Sequence, residues 1–160
     1  ELPRAAWEPR AAFQALVWSS AGQKVRHQDV AHSLEASEEV LVLGGRLEDG
    51  KLRSDVWALS FSRGPLGSSW RQVTPAASWS PRSEFAAASG SSLWILGGCD
   101  QAGRALADVW RSSDASSWHQ VQEAAPWGPR VGPVAVILKA DNLNKAESLV
   151  LYGGYSYPDG

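Results

Sequence analysis

The chain has 160 residues, of which 44% are hydrophobic and 20% charged, and its formal net charge is −2. This near-neutral balance, with both signs mixed along the chain, gives no electrostatic case for nucleic acid or for an anionic membrane surface. No apolar run reaches the ~18 residues of a membrane span. A single cysteine excludes an internal disulfide and leans towards an intracellular setting without deciding the compartment.

In chain order, Glu1–Ala6 is a lead-in. Trp7-Glu8-Pro9-Arg10 follows, with proline at a strand entry where no ladder N–H is lost. Ala12–Trp18 is predicted as the first strand. Ser19–Glu38 then runs for about 20 residues without a clean period, a length that marks a functional or disordered insertion. It carries Lys24, Arg26, His27, Asp29, His32 and Glu35. His27 and His32 have no further ligand placed with them, so the segment reads as a partner-contacting or solvated insertion and not as a metal site. Val40–Leu43 is a wholly apolar second strand, the pattern of burial on both faces. Gly44-Gly45 closes it, with backbone angles that other residues resist and room for a neighbouring aromatic ring. Arg46–Ser54 is expected to be a loop, with Glu48-Asp49-Gly50 as its turn. Asp55-Val56-Trp57-Ala58-Leu59 is the third strand, and Asp55 is expected to tie the loop by accepting backbone N–H bonds. Arg63–Gly67 is a turn, and Trp70–Val73 is the fourth strand.

The same signs then return in the same order. Trp79-Ser80-Pro81-Arg82 leads to a strand at Phe85–Ala88, a turn at Gly90-Ser91, and a strand at Leu93–Leu96 closed by Gly97-Gly98. Asp108-Val109-Trp110 opens the third strand of this unit, and Trp118–Val121 is the fourth. Trp127-Gly128-Pro129-Arg130 begins a third unit, with strands at Val134–Leu138 and Leu149–Tyr152, closed by Gly153-Gly154. Between these two strands, Asp141, Asn142, Asn144 and Lys145 read as a polar hairpin tip in preference to a calcium loop. Arg10, Arg82 and Arg130 are expected at equivalent positions, bonded to backbone carbonyls or to Asp55 and Asp108. A basic ligand-binding ring is the sharper alternative. Seven of the nine tryptophans fall in these motifs, as expected of flat side chains that fill the space between stacked units.

The spacing separates constant connections from variable ones. The second glycine of each pair lies 10 residues before the Asp in both complete units, and each Trp-x-x-Val ends 6 residues before the next Trp-x-Pro-Arg. By contrast, Trp-x-Pro-Arg to the glycine pair spans 37, 18 and 26 residues, and Asp-Val-Trp to the next Trp spans 13 and 8. In an up-and-down meander of four strands, the variable distances contain the first and third turns, which emerge on one face. Insertions in repeat proteins gather on one face, often the binding face.

These motifs resemble those of a kelch-repeat β-propeller, through the paired glycines after an apolar strand, the Asp-Val-Trp and the Trp-x-x-Val. The resemblance spans nearly the whole chain. It differs from the family habit where Arg46 and Cys99 follow glycine pairs in place of tyrosine, which appears only as Tyr155. The implied fold is all-β, a propeller of four-stranded antiparallel blades that is incomplete here. Residues 7–75 and 79–123 would be blades and 127–160 half a blade. A propeller of about six blades needs roughly 300 residues, so the chain is expected to be a fragment, and the lack of any Met agrees. The rest of the propeller is expected on the same polypeptide or on another chain. The repeat residues are Gly44, Gly45, Asp55, Trp57, Trp70, Gly97, Gly98, Asp108, Trp110, Trp118, Gly153 and Gly154.

No residue set points to catalysis. Cys99 lies just past the second glycine pair, and a nucleophilic thiol needs a base beside it; His119, the nearest in sequence, belongs to the fourth strand. Ser112–Trp118 resembles the Asp-box turn of sialidase-type propellers, where the box is structural, but it is one residue short and lacks the usual glycine. No catalytic, metal or cofactor residue is assigned. The expected function is a non-enzymatic module for protein–protein interaction. Its contacts would come from Ser19–Glu38 and Lys139–Ser148, with Arg63–Ser69 third, through Lys24, Arg26, His27, His32, Arg63, Asn142, Asn144 and Lys145. The alternatives are an architectural piece of a large assembly and, from a different class, a propeller oxidase or glycosidase.

Overall fold

A computed structural model describes residues 3–19, 38–61, 67–139 and 147–156. These residues form three antiparallel sheets that do not close on themselves, and no helix occurs among them. The first sheet holds β1 (Arg10–Ala11), β2 (Gln14–Ser19), β3 (Glu38–Leu47), β4 (Leu52–Ser60) and β5 (Ser69–Thr74). Both β1 and β2 pair with β3, which continues through β4 to β5. The second sheet runs in sequence order through β6 (Ala86–Ser89), β7 (Leu93–Leu96), β8 (Val109–Ser112) and β9 (His119–Gln122). The third is a hairpin of β10 (Val131–Lys139) and β11 (Glu147–Tyr155).

Several expected boundaries move. The strand expected at Ala12–Trp18 starts only at Gln14, and a separate two-residue strand, Arg10–Ala11, precedes it, with Ala12 at φ 53° between the two. Glu84 stands at φ 52° at the matching place before β6, and neither residue signals a left-handed conformation from sequence. The expected loop at Arg46–Ser54 is much shorter. β3 bulges at Leu43/Gly45 but keeps pairing beyond the glycines, Arg46 against Leu52. The turn closes with Gly50 N donating to Leu47 O. β8 begins at Val109 and β9 at His119, so Asp108 and Trp118 lie just outside their expected strands.

Period-two alternation sends each strand's side chains to two sides, and the sheets stack through those faces. Leu41, Leu43, Val56 and Ala58 of the first sheet meet Phe85, Ala87, Leu93 and Ile95. The opposite face of the second sheet, with Ala86, Leu96 and Val109, meets Ala135, Leu149 and Leu151 of the hairpin. β6 thus packs between β2 and β10. Burying a Leu or Ile side chain here stabilises the stack by about 1.5–3 kcal/mol. Among the described residues the hairpin's other face has no such cover: Val134 is 58% exposed and Tyr152 78%, and Val136 and Leu138 are exposed too.

Candidate functional site

The repeated motifs build one bonding set twice. Arg10 donates from Nη1 and Nη2 to the two oxygens of Asp55 at 2.7 and 3.1 Å, and from Nη1 to Gly44 O at 3.0 Å. Trp57 Nε1 donates to Asp55 Oδ2 at 2.9 Å. Arg82 repeats this with Asp108 at 2.6 and 2.7 Å and with Gly97 O at 3.0 Å, and Trp110 Nε1 donates to Asp108 Oδ2 at 2.7 Å. The planar guanidinium matches the carboxylate fork. Residues two apart on a strand face one side, which puts each indole beside the same carboxylate. Asp55 and Asp108 therefore hold side chains, and the expectation that Asp55 accepts backbone N–H bonds is corrected. Arg10 and Arg82 are buried, with side-chain exposures of 1% and 0%, so these two cannot form a ligand-binding ring. Each lies over the tryptophan of its own motif, Trp7 or Trp79.

The glycine pairs serve the junctions between sheets. Gly45 N donates to Arg82 O at 3.0 Å, and Gly98 N donates to Arg130 O at 2.9 Å. Each such arginine links the sheet before it through its carbonyl and the sheet after it through its guanidinium. A Cβ at Gly98 would stand 2.6 Å from Phe85 Cβ, and one at Gly45 would stand 2.7 Å from Phe13 Cβ. Phe13 and Phe85 are thus part of the set; the sequence marks them by their place three residues after Arg10 and Arg82, a sign the motif reading passed over. The tryptophans close the set. Trp7 meets Trp70 edge-on at 5.6 Å, and Trp79 meets Trp118 edge-on at 6.1 Å. Gly154 packs against Val131 O and Pro133, whereas a Cβ at Gly153 would meet nothing within 4 Å.

The ladder registers place the variable turns together. Trp18 pairs with Glu39, Glu39 with Ser60, and Ser60 with Ser69, so β2–β3 and β4–β5 connect at one end of the first sheet. Ser89 opposite Leu93, and Leu93 opposite Ser112, define the same end of the second sheet. Ser89 Oγ donates to Val17 O across the first junction, and Ser91 N donates to the Glu147 carboxylate across the second. The polar contact from Glu147 to the Gly90-Ser91 turn had no sign in the sequence. The turn from β8 to β9 belongs to this end too. Asp114 accepts from Ser116 N and Ser117 N at 2.9 and 2.7 Å and from the Ser112 hydroxyl. Partial burial acts to raise the Asp114 carboxyl, but those donors outweigh it and hold it below the usual carboxylate range.

The residues expected to contact a partner, Lys24, Arg26, His27, His32, Arg63, Asn142, Asn144 and Lys145, lie outside the described residues. The expected segments are also shorter than the sequence suggests. Ser19 and Glu38 pair with each other, Ser69 pairs with Ser60, and Lys139 pairs with Glu147 while Leu138 pairs with Ser148.

Cys99 is half-buried, with Sγ 3.3 Å from Ser83 Oγ, and it bridges Ser83 and Ala105. His119 pairs instead with Arg111 in the β8–β9 ladder. No group of three or more His, Cys, Asp or Glu side chains that could hold a metal occurs among the described residues, and no helix among them is long and apolar enough to cross a membrane. A cavity of about 490 Å³ lies between the second sheet and the hairpin, lined by Leu96, Val109, Trp127, Arg130 and Leu151 among others. No protein-family model matches the chain, and no curated protein matches it.

Proposed function

We propose that residues 7–75, 79–123 and 127–160 are two blades and half of a third in a kelch-type β-propeller, and that the propeller is a non-enzymatic module that binds another protein through its loops. The observation that carries this reading is the recurrence of the Arg–Asp–Trp set in two stacked antiparallel sheets. The convergence of the variable turns at one end supports the binding role, since a rigid scaffold that tolerates length changes on one side suits recognition there. The test replaces residues 20–37 and 140–146 with short Gly-Ser linkers and compares crosslinked partners by mass spectrometry. Loss of partners with the fold intact is the expected result; an unchanged partner set would remove the loop-binding role.

The exposed apolar face of the hairpin favours a second reading, an architectural piece of a larger assembly, because permanent interfaces are the more hydrophobic ones. Salt-resistant co-purification at a fixed ratio, indifferent to both loop replacements, would select it.

A further inference from the structure

The turn between β3 and β4 holds a chemically reactive pair in a fixed frame. Asp is followed by Gly at two places in the sequence, Asp49-Gly50 and Asp159-Gly160, and the first lies among the described residues. The Asp49 side chain is 50% exposed. Gly50 stands in open space, where an added Cβ would meet nothing within 4 Å. No side chain on Gly50 shields its nitrogen from the carboxyl before it. In such a pair the Gly50 nitrogen attacks Asp49 Cγ. An N–Cγ bond forms, and a carboxyl oxygen leaves as water with the amide proton and the acid proton. Water then opens the cyclic imide. Opening at the former main-chain carbonyl breaks its bond to the nitrogen and leaves the chain running through Cγ, longer by one methylene. Water is the only other reactant.

The closed turn opposes each part of this reaction. Gly50 N donates to Leu47 O at 3.0 Å, which retains the proton that must leave. Asp49 Oδ2 accepts from Lys51 Nζ at 2.6 Å and Oδ1 from Lys51 N at 3.1 Å, so the side chain points away from Gly50 N. The same two bonds hold the carboxyl below its usual range, ionised and without the OH that departs as water. The second sheet braces the turn from outside. Gln101, in the connection from β7 to β8, accepts from Leu52 N at 2.8 Å and donates to Gly50 O at 3.2 Å. We infer that Asp49-Gly50 is an isoaspartate-forming site that the closed turn and the Gln101 brace hold back. Conversion is self-propagating, because the added methylene falls between Leu47 and Gly50. It separates Gly50 N from Leu47 O and Leu47 N from Lys51 O, the bonds that close the turn, and it displaces the Gly50 carbonyl that Gln101 grips. The site lies at the end of the first sheet away from the variable turns, so the loop replacements do not bear on it.

The test incubates the chain, its Gln101→Ala variant and a free peptide copying residues 44–55 at neutral pH and body temperature for several weeks. Tryptic peptides covering Leu47–Lys51 are then separated against synthetic standards carrying aspartate or isoaspartate at position 49, which keeps Asp159 out of the count. The free peptide should convert fastest. The chain should convert about tenfold more slowly or less, the factor expected when two hydrogen bonds must open first. Gln101→Ala should convert several-fold faster than the parent chain. Gln101 is exposed, and amide exchange at Ile95, buried in β7, should stay slow in the variant, so the gain comes from the turn and not from a loosened fold. In the converted fraction the Leu47 amide should exchange faster. Conversion of the chain as fast as the free peptide, no acceleration by Gln101→Ala, or unchanged protection of Leu47 after conversion would each overturn the inference.

Discussion

The carboxylate of Asp108 closes on the guanidinium of Arg82 through two bonds of 2.6 and 2.7 Å, across 26 residues of sequence. Because the Arg82 carbonyl also accepts from Gly45 N, this pair couples the first sheet to the second. Asp108→Asn leaves a fully buried cation without its counter-charge and weakens the acceptor of the Trp110 indole. The expected loss is about 3–5 kcal/mol, read as a lower urea midpoint. Asp49→Asn serves as the control, since Asp49 pairs with Lys51 at the surface; its midpoint should not move measurably. Equal effects of the two substitutions would refute the central place of the buried pair.

Arg82→Gln and Arg130→Gln should differ. The first breaks a buried ion pair and should cost about 3–5 kcal/mol. The second removes bonds to two carbonyls and no ion pair among the described residues, for about 1 kcal/mol. Chemical denaturation of both variants checks the ordering.

Gly98→Ala and Gly153→Ala separate crowding from backbone strain. Both glycines have positive φ, 94° and 69°, so each substitution carries a conformational cost of about 1 kcal/mol. Only at Gly98 does the new Cβ collide, 2.6 Å from Phe85 Cβ and 2.7 Å from Ser83 O. Overpacking adds about 1–3 kcal/mol there. Thermal unfolding should rank Gly98→Ala well below Gly153→Ala, and the reverse order would contradict the junction geometry.

Asp114 gives the fold a dependence on acid. Its folded-state pKa lies below the unfolded value, because the amides of Ser117 and Ser116 and the Ser112 hydroxyl outweigh partial burial. The ionised carboxylate therefore stabilises the fold above the unfolded pKa near 3.9, and this contribution is lost as pH falls through the folded pKa. Asp114→Ala should cost about 1 kcal/mol at neutral pH, kept small by solvent exposure. The gap between wild type and variant should narrow as pH drops from 5 to 2, measured by urea midpoints; a gap that widens would reverse the assignment.

The exposed face of the hairpin should be detectable as surface. Val136→Thr with Tyr152→Thr removes apolar area and leaves β-branched threonine, a residue suited to strands, at both positions. Binding of the dye ANS should fall, with stability changed by no more than about 0.5 kcal/mol. A large loss of stability would mean that these side chains support the hairpin itself.

The order of strands was legible in the sequence, because apolar runs closed by Gly-Gly and the Asp-Val-Trp signs are local. All-β character and antiparallel pairing were expected through the resemblance those signs carry, and the structure has both. The glycine pairs also announced close approach, although not that Phe13 and Phe85 make it. The break at Ala12 was not legible, since an alanine at φ 53° goes with a contact distant in sequence, Glu84 N donating to its carbonyl. The end of β3 was misread for a related reason: glycine marks a possible turn, while the continued pairing of Arg46 with Leu52 depends on a second strand.

Residue types and spacing by themselves determined which side chains recur and which connections vary in length, since both are properties of the linear chain. Only the tertiary structure decided what the recurring Asp and Arg do. A carboxylate in a turn and a carboxylate that neutralises a buried guanidinium have the same one-letter pattern, and burial alone separates them. It likewise decided that Arg130 has no carboxylate beside it among the described residues while Arg10 and Arg82 each have one. That difference lies in which strands stack and pair across the chain, and no local pattern carries it.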